Sequence, residues 1–162
     1  MLIDSSLELA DAETVHTANN AAPFVVGSVD LRGTIGIGDN ATVDLSAGES
    51  LFAVIEVTTA IAGTATSEFS LHTHTADIAK GTVSTAATEI WRTALVAGNR
   101  VAGKRWIVSL PEAAYARYLL VAHRNDNSGA PSGGGAINCY LTKDVTNWTG
   151  TADRVPATDP AT

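Results

Sequence analysis

His72 and His74 stand two apart in the segment SEFSLHTHT, where alternation places both on one side of a strand with Glu68 and Ser70. Imidazoles at that spacing serve as metal ligands when a carboxylate and a third donor complete the set. Glu68 lies on the same nominal face, and His123, in a later strand-like run, is the candidate third ligand of a metal-dependent enzyme. A two-histidine signal without a third ligand at fixed spacing is weak. The pair is therefore read as two polar residues on a wet strand face, with no metal and no cofactor expected.

The other reactive groups give less. The many serines fall in no G-x-S-x-G elbow, because Ser128-Gly129 lacks the preceding glycine. Asp4, Glu8, Asp11 and Glu13 fit no calcium-loop spacing and read as a solvated acidic face. The glycines of RGTIGIGDN permit positive φ in a loop but make no phosphate loop, since no G-K-[ST] follows. Cys139 alternates with Ile137 and Leu141 and reads as a small buried hydrophobe rather than a catalytic thiol. Trp91, Trp106, Tyr115 and Tyr118 would suit a sugar platform, but core or intersubunit packing is the commoner use of such rings. No enzyme is expected.

Composition narrows the class. A chain of 162 residues with 45% hydrophobic residues is one domain with enough length for a real core. Only 17% of residues are charged, and Ala, Thr, Gly and Ser fill the deficit, giving a neutral surface suited to contact with other protein. The net charge of -7 and scattered Lys and Arg argue against direct nucleic-acid binding. No apolar run approaches the ~20 residues that span a bilayer, so no membrane partner is expected. The start MLIDSSLELADAE carries acids and no basic n-region, so it does not read as a signal peptide. Synthesis in a cytoplasm, with function there or in a particle assembled there, is expected.

Strand-like runs must position all these groups. They are Phe24–Leu31 with Gly27 as a possible bulge, Leu51–Thr59, Ser67–Thr75, Thr88–Val96, Arg105–Leu110, Arg117–Arg124 and Ala136–Thr142. Leu2–Leu9 reads as a short strand or extended arm, Ala41–Leu45 as a short hairpin arm, and Glu112–Ala116 as one helical turn. Leu51–Thr59 and Ser67–Thr75 flank the seven-residue break Ala60–Thr66 and read as a hairpin with a loop or bulge. About eight short strands joined by Gly, Pro and Asn turns, with no long helical period, predict an all-β chain: an antiparallel β-sandwich or jelly roll with extended N- and C-terminal arms. The domain is expected to span residues 1–142, and 143–162 to form an extended tail with two prolines, few hydrophobes and a lone Trp148.

The order of segments resembles a known family. Leu2-Ile3-Asp4 is followed by Leu7 and by Leu9-Ala10-Asp11-Ala12, then Asp30-Leu31 leads to Gly36-Ile37-Gly38. Leu51–Thr59 comes next with Ser67, Phe69, Ser70 and Leu71, then Leu110-Pro111, Arg117-Tyr118-Leu119 and the turn Gly133–Gly135. This succession is similar to the jelly-roll capsid cement, or decoration, proteins of tailed bacteriophages, with roughly Asp39–Gly48 inserted. The resemblance implies a homotrimer on the outer capsid surface of the virion, with the major capsid protein as partner, and neither a reaction nor a cofactor. On that reading Leu2, Ile3, Asp4 and Leu7 of the N-terminal segment and Trp148 of the tail are expected to contact the capsid or a neighbouring protomer. A sugar- or receptor-binding module on the virion surface is the alternative.

Overall fold

In the computed structural model, the described residues are 7–15, 22–31, 42–44, 51–83, 86–110, 114–125 and 134–143. Among the described residues ten strands follow one another: β1 (Glu8–Thr14), β2 (Phe24–Asp30), β3 (Thr42–Asp44), β4 (Leu51–Thr59), β5 (Ser67–His74), β6 (Thr88–Arg92), β7 (Arg105–Leu110), β8 (Ala114–Ala116), β9 (Tyr118–Asn125) and β10 (Ala136–Thr142). One 3₁₀ turn, Ala97–Arg100, lies between β6 and β7.

Eight strands form two four-stranded sheets, in the orders β1-β10-β4-β7 and β2-β9-β5-β6, and every pairing is antiparallel. First and last strands lie side by side, and the chain passes repeatedly from one sheet to the other. That interleaving of two Greek keys is a jelly roll, the fold expected. The remaining strands, β3 and β8, pair as a small separate ribbon.

The strand pattern determines the core. Leu51, Ala53, Ile55 and Val57 of β4 point inward with Ile137, Cys139 and Leu141 of β10 and Val108 and Leu110 of β7. Val26, Val29, Phe69, Leu71, Leu119 and Val121 face them from the other sheet. Each Val, Leu, Ile or Phe side chain among them contributes about 1.5–3 kcal/mol when withdrawn from water. Cys139 sits in this apolar layer, where burial pushes its thiol pKa up, so it packs as a small hydrophobe.

Two local expectations are corrected. The runs Leu51–Thr59 and Ser67–His74 are both strands but not a hairpin: β4 pairs with β10 and β7, whereas β5 pairs with β9 and β6. The connection between them passes from one sheet to the other, because each strand buries its apolar residues toward the same interior from opposite sides. The turn expected at Glu112–Ala116 is also replaced, since Ala114–Ala116 is β8 and its Tyr115 is buried in the core.

The Gly27 bulge is observed, with a register shift between Val25 and Gly27 opposite β9. A Cβ at Gly27 would stand 1.8 Å from the Leu9 carbonyl oxygen, so β1 can approach β2 only past a glycine. This contact joins the two sheets at one edge of the sandwich.

Candidate interaction surfaces

The second sheet carries the histidines, and the middle of its outward side is not wet. Glu68, Ser70 and His72 of β5 and Val25, Leu120 and Ala122 of its neighbours are all buried, although none belongs to the inner core. The connector between β5 and β6 accounts for this second buried layer. It reaches past β9 to the free edge of β2, where Val25 N donates to Thr82 O at 2.9 Å and Gly81 N donates to Val25 O at 2.8 Å. A bridge joins Phe24 to Val83, and Ser28 Oγ donates to Asp77 Oδ1 at 2.9 Å. Lys80 forms an ion pair with Glu13 of β1, anchoring the same connector on the other sheet.

The expected wet face is therefore covered at His72, while His74 stays partly exposed. His72 is only 4% exposed, with Nε2 2.8 Å from Ser70 Oγ. Glu68 pairs with Arg124 across the strands at 3.8 Å. His74, at the strand end, uses Nδ1 on the backbone of Ala76. His123 belongs to the inner face, where its ring lies 5.0 Å from Phe69. It cannot join His72 on the outer face, and no group of metal-ligating side chains forms among the described residues. Alternation along β9 separates His123 from the outward rows, a parity that spacing within β5 alone does not reveal.

Burial makes His72 pH-sensitive. Desolvation lowers its pKa below 6.5, while the Glu89 carboxylate and the Ala87 backbone act in the opposite direction. The unfolded chain therefore takes up this proton first as pH falls. The stabilisation is complete above about pH 6.5 and is lost as pH drops through that value toward the lower folded pKa, by up to ~1.4 kcal/mol per pH unit. His72→Gln is expected to flatten that part of the stability curve between pH 7.5 and 5.5, as read by thermal midpoints. Parallel wild-type and variant curves would refute it.

The aromatic rings do not share a platform. Trp91 and Trp106 pack against the core, Trp106 with its ring 5.2 Å from Phe69, and Tyr115 is inside. Tyr118 lies under the Arg117 guanidinium at 5.1 Å, and Arg117 holds Asp30 through both carboxylate oxygens at 2.6–3.1 Å. Of the expected contact residues, Leu7 is half-buried against the core. Leu2, Ile3, Asp4 and Trp148 lie outside the described residues, as does most of the Asp39–Gly48 insertion.

The large hydrophobic side chains exposed among the described residues are Val96 (44%), Val101 (59%) and Ile107 (41%). Val96 and Val101 bracket the 3₁₀ turn, and Ile107 points outward from β7, an edge strand. The sequence predicts a strand end and the next strand here, with a turn between them, and does not show what holds the segment. Asn99 is buried, and its amide donates toward Ser67 O at 3.0 Å, Thr93 Oγ1 at 3.0 Å and Ala94 O at 2.7 Å. Arg100 donates to Gly63 O and Ile61 N to Arg100 O, so the loop is fixed at both sides. A polar residue inside a Gly-Asn-Arg turn reads as exposed unless the carbonyls around it are known.

No curated protein matches this chain. A family model described as Bbp16 matches residues 9–139, from the first strand of one sheet to the last strand beside it. That span covers most of the chain, and the protein belongs to the Bbp16 family.

Proposed function

We propose that this chain is a structural cement, or decoration, protein that sits on the outer surface of a tailed-phage capsid and bridges major capsid subunits. The observation that carries the reading is the strand order β1-β10-β4-β7 and β2-β9-β5-β6, the jelly roll that the resemblance implies. The sheet face bearing His72 and Glu68 is closed by the chain's own connector, which supports a structural part with no reaction. Tyr115 lies in the core and Trp91 and Trp106 pack against it, which favours this reading over a sugar-binding module. A cement protein that binds only the finished lattice adds its binding free energy to particle stability, and many copies multiply modest contacts.

Cosedimentation with capsids lacking the chain tests the proposal. Saturable binding with a fixed number of copies per capsid is expected. Deleting residues 143–162 is expected to lower occupancy while leaving the thermal midpoint of the free domain unchanged. Failure of the full chain to sediment with capsids would overturn the function, and full occupancy by the truncated chain would overturn the tail's part in it.

A further inference from the structure

We propose that residues 75–83 form an acid-released strap, held against the outward face of the β2-β9-β5-β6 sheet at neutral pH and let go when His72 takes up a proton. This goes beyond the cement reading and does not depend on it.

The registers lay out the face that the strap fastens. Ser70, Ala122 and Val25 stand opposite one another across β5, β9 and β2, and His72, Leu120 and Ser28 form the next outward row. The strap bonds both rows at their β2 end, through the backbone of Val25 and the hydroxyl of Ser28. Its own residues are exposed apart from Ile78 and Val83, which are half-buried. A segment with two apolar footholds and few bonds belongs to the low-stability end of a fold and can open while the rest stays closed. The Lys80–Glu13 ion pair adds little, because both side chains are exposed to water.

His72 is placed to govern that opening. It is buried at the β5 end of its row, where Nε2 meets the Ser70 hydroxyl and Nδ1 completes no hydrogen bond. An imidazolium carries two N–H donors, and this dry site serves them poorly. Desolvation outweighs the pull of Glu89 and the Ala87 backbone toward the charged ring. Release of the strap admits water to the ring, so the closed state favours the neutral imidazole and the open state the charged one. Protonation and release are thereby linked.

The other charged groups on this face are engaged. Glu68 pairs with Arg124, Asp30 with Arg117, and Arg92 with Glu89, which stands opposite His72 on β6. Asp77 of the strap accepts from Ser28, and Tyr118 of β9 lies under Arg117. Histidine is the side chain that ordinarily titrates between pH 5 and 8. His74 is partly exposed and bonded to Ala76, and His123 faces the inner core.

Hydrogen exchange of the full purified chain, corrected for the intrinsic pH dependence of amide exchange, tests this. Between pH 7.5 and 5.5 the Val25 and Gly81 amides are expected to lose protection about threefold or more, and at most about tenfold for each pH unit below 6.5. The amides of β4 and β10 should keep theirs. His72→Gln should abolish the pH response, and His74→Gln should leave it intact. Glu89→Gln, at an exposed site, should move release to lower pH, because the lost carboxylate favoured the charged ring. Should His72→Gln leave the strap open at both pH values, Glu89→Gln decides, and an unmoved pH of release would then overturn the proposal. Equal protection of Val25 and Gly81 at the two pH values would overturn it too. So would a response that survives His72→Gln, one that disappears in His74→Gln, or one shared by β4 and β10.

Discussion

Gly27→Ala is expected to destabilise the fold by about 3 kcal/mol, the upper part of the range for forced overpacking. The added Cβ would meet the Leu9 carbonyl oxygen at 1.8 Å and its carbon at 2.8 Å. Both are backbone atoms of a strand hydrogen-bonded to β10, so no flexible side chain can yield. Relief requires β1 to move away from β2, which exposes Leu9 and Ala10, both buried in the core. Against a total stability of about 5–15 kcal/mol, a loss of this size is large. Urea titration should show a lower midpoint with an unchanged slope. A loss below about 0.5 kcal/mol, the ordinary range of a surface change, would contradict the packing of β1 on β2.

Phe69→Ala should cost more, about 3–5 kcal/mol. Phe69 is fully buried at the centre of β5, and its ring lies 5.2 Å from Trp106 on the opposite sheet and 5.0 Å from His123 on its own. Removing it opens a cavity between the sheets and leaves the His123 ring without its apolar neighbour. Phe69→Leu should recover most of the loss, because volume rather than aromaticity is what the site chiefly needs. Equal destabilisation by the two substitutions would show that the ring contacts dominate. A loss under about 1 kcal/mol for Phe69→Ala would place Phe69 outside a packed core.

The sequence makes the strands legible and their partners less so. Leu51–Thr59 is rich enough in apolar and β-branched residues that its bounds are readable to the residue, and Gly27 announces its bulge by interrupting an apolar run. The pairing of β4 with β5 was misread because adjacency in sequence favours a hairpin, whereas burial from two sides requires them in different sheets. The face of His72 was misread for a similar reason. Alternation tells which residues share a side, not whether a connector later lies over that side. Nothing in ADIAKGTVSTAA advertises that its Gly81 and Thr82 will bond the backbone of Val25, some 55 residues earlier in the chain. Asn99 shows the same limit, since its three acceptors come from segments near and far.

The function rests on a different footing from the fold. The jelly roll and the membership of residues 9–139 in the Bbp16 family are established, and the capsid role is the reading that joins them to the resemblance. Its most direct test is an electron-microscopic reconstruction of the particle assembled with and without this chain. The account predicts jelly-roll-sized density on the outer surface, spanning neighbouring capsid subunits, present only when the chain is supplied. A capsid exterior that is the same in both preparations would contradict it.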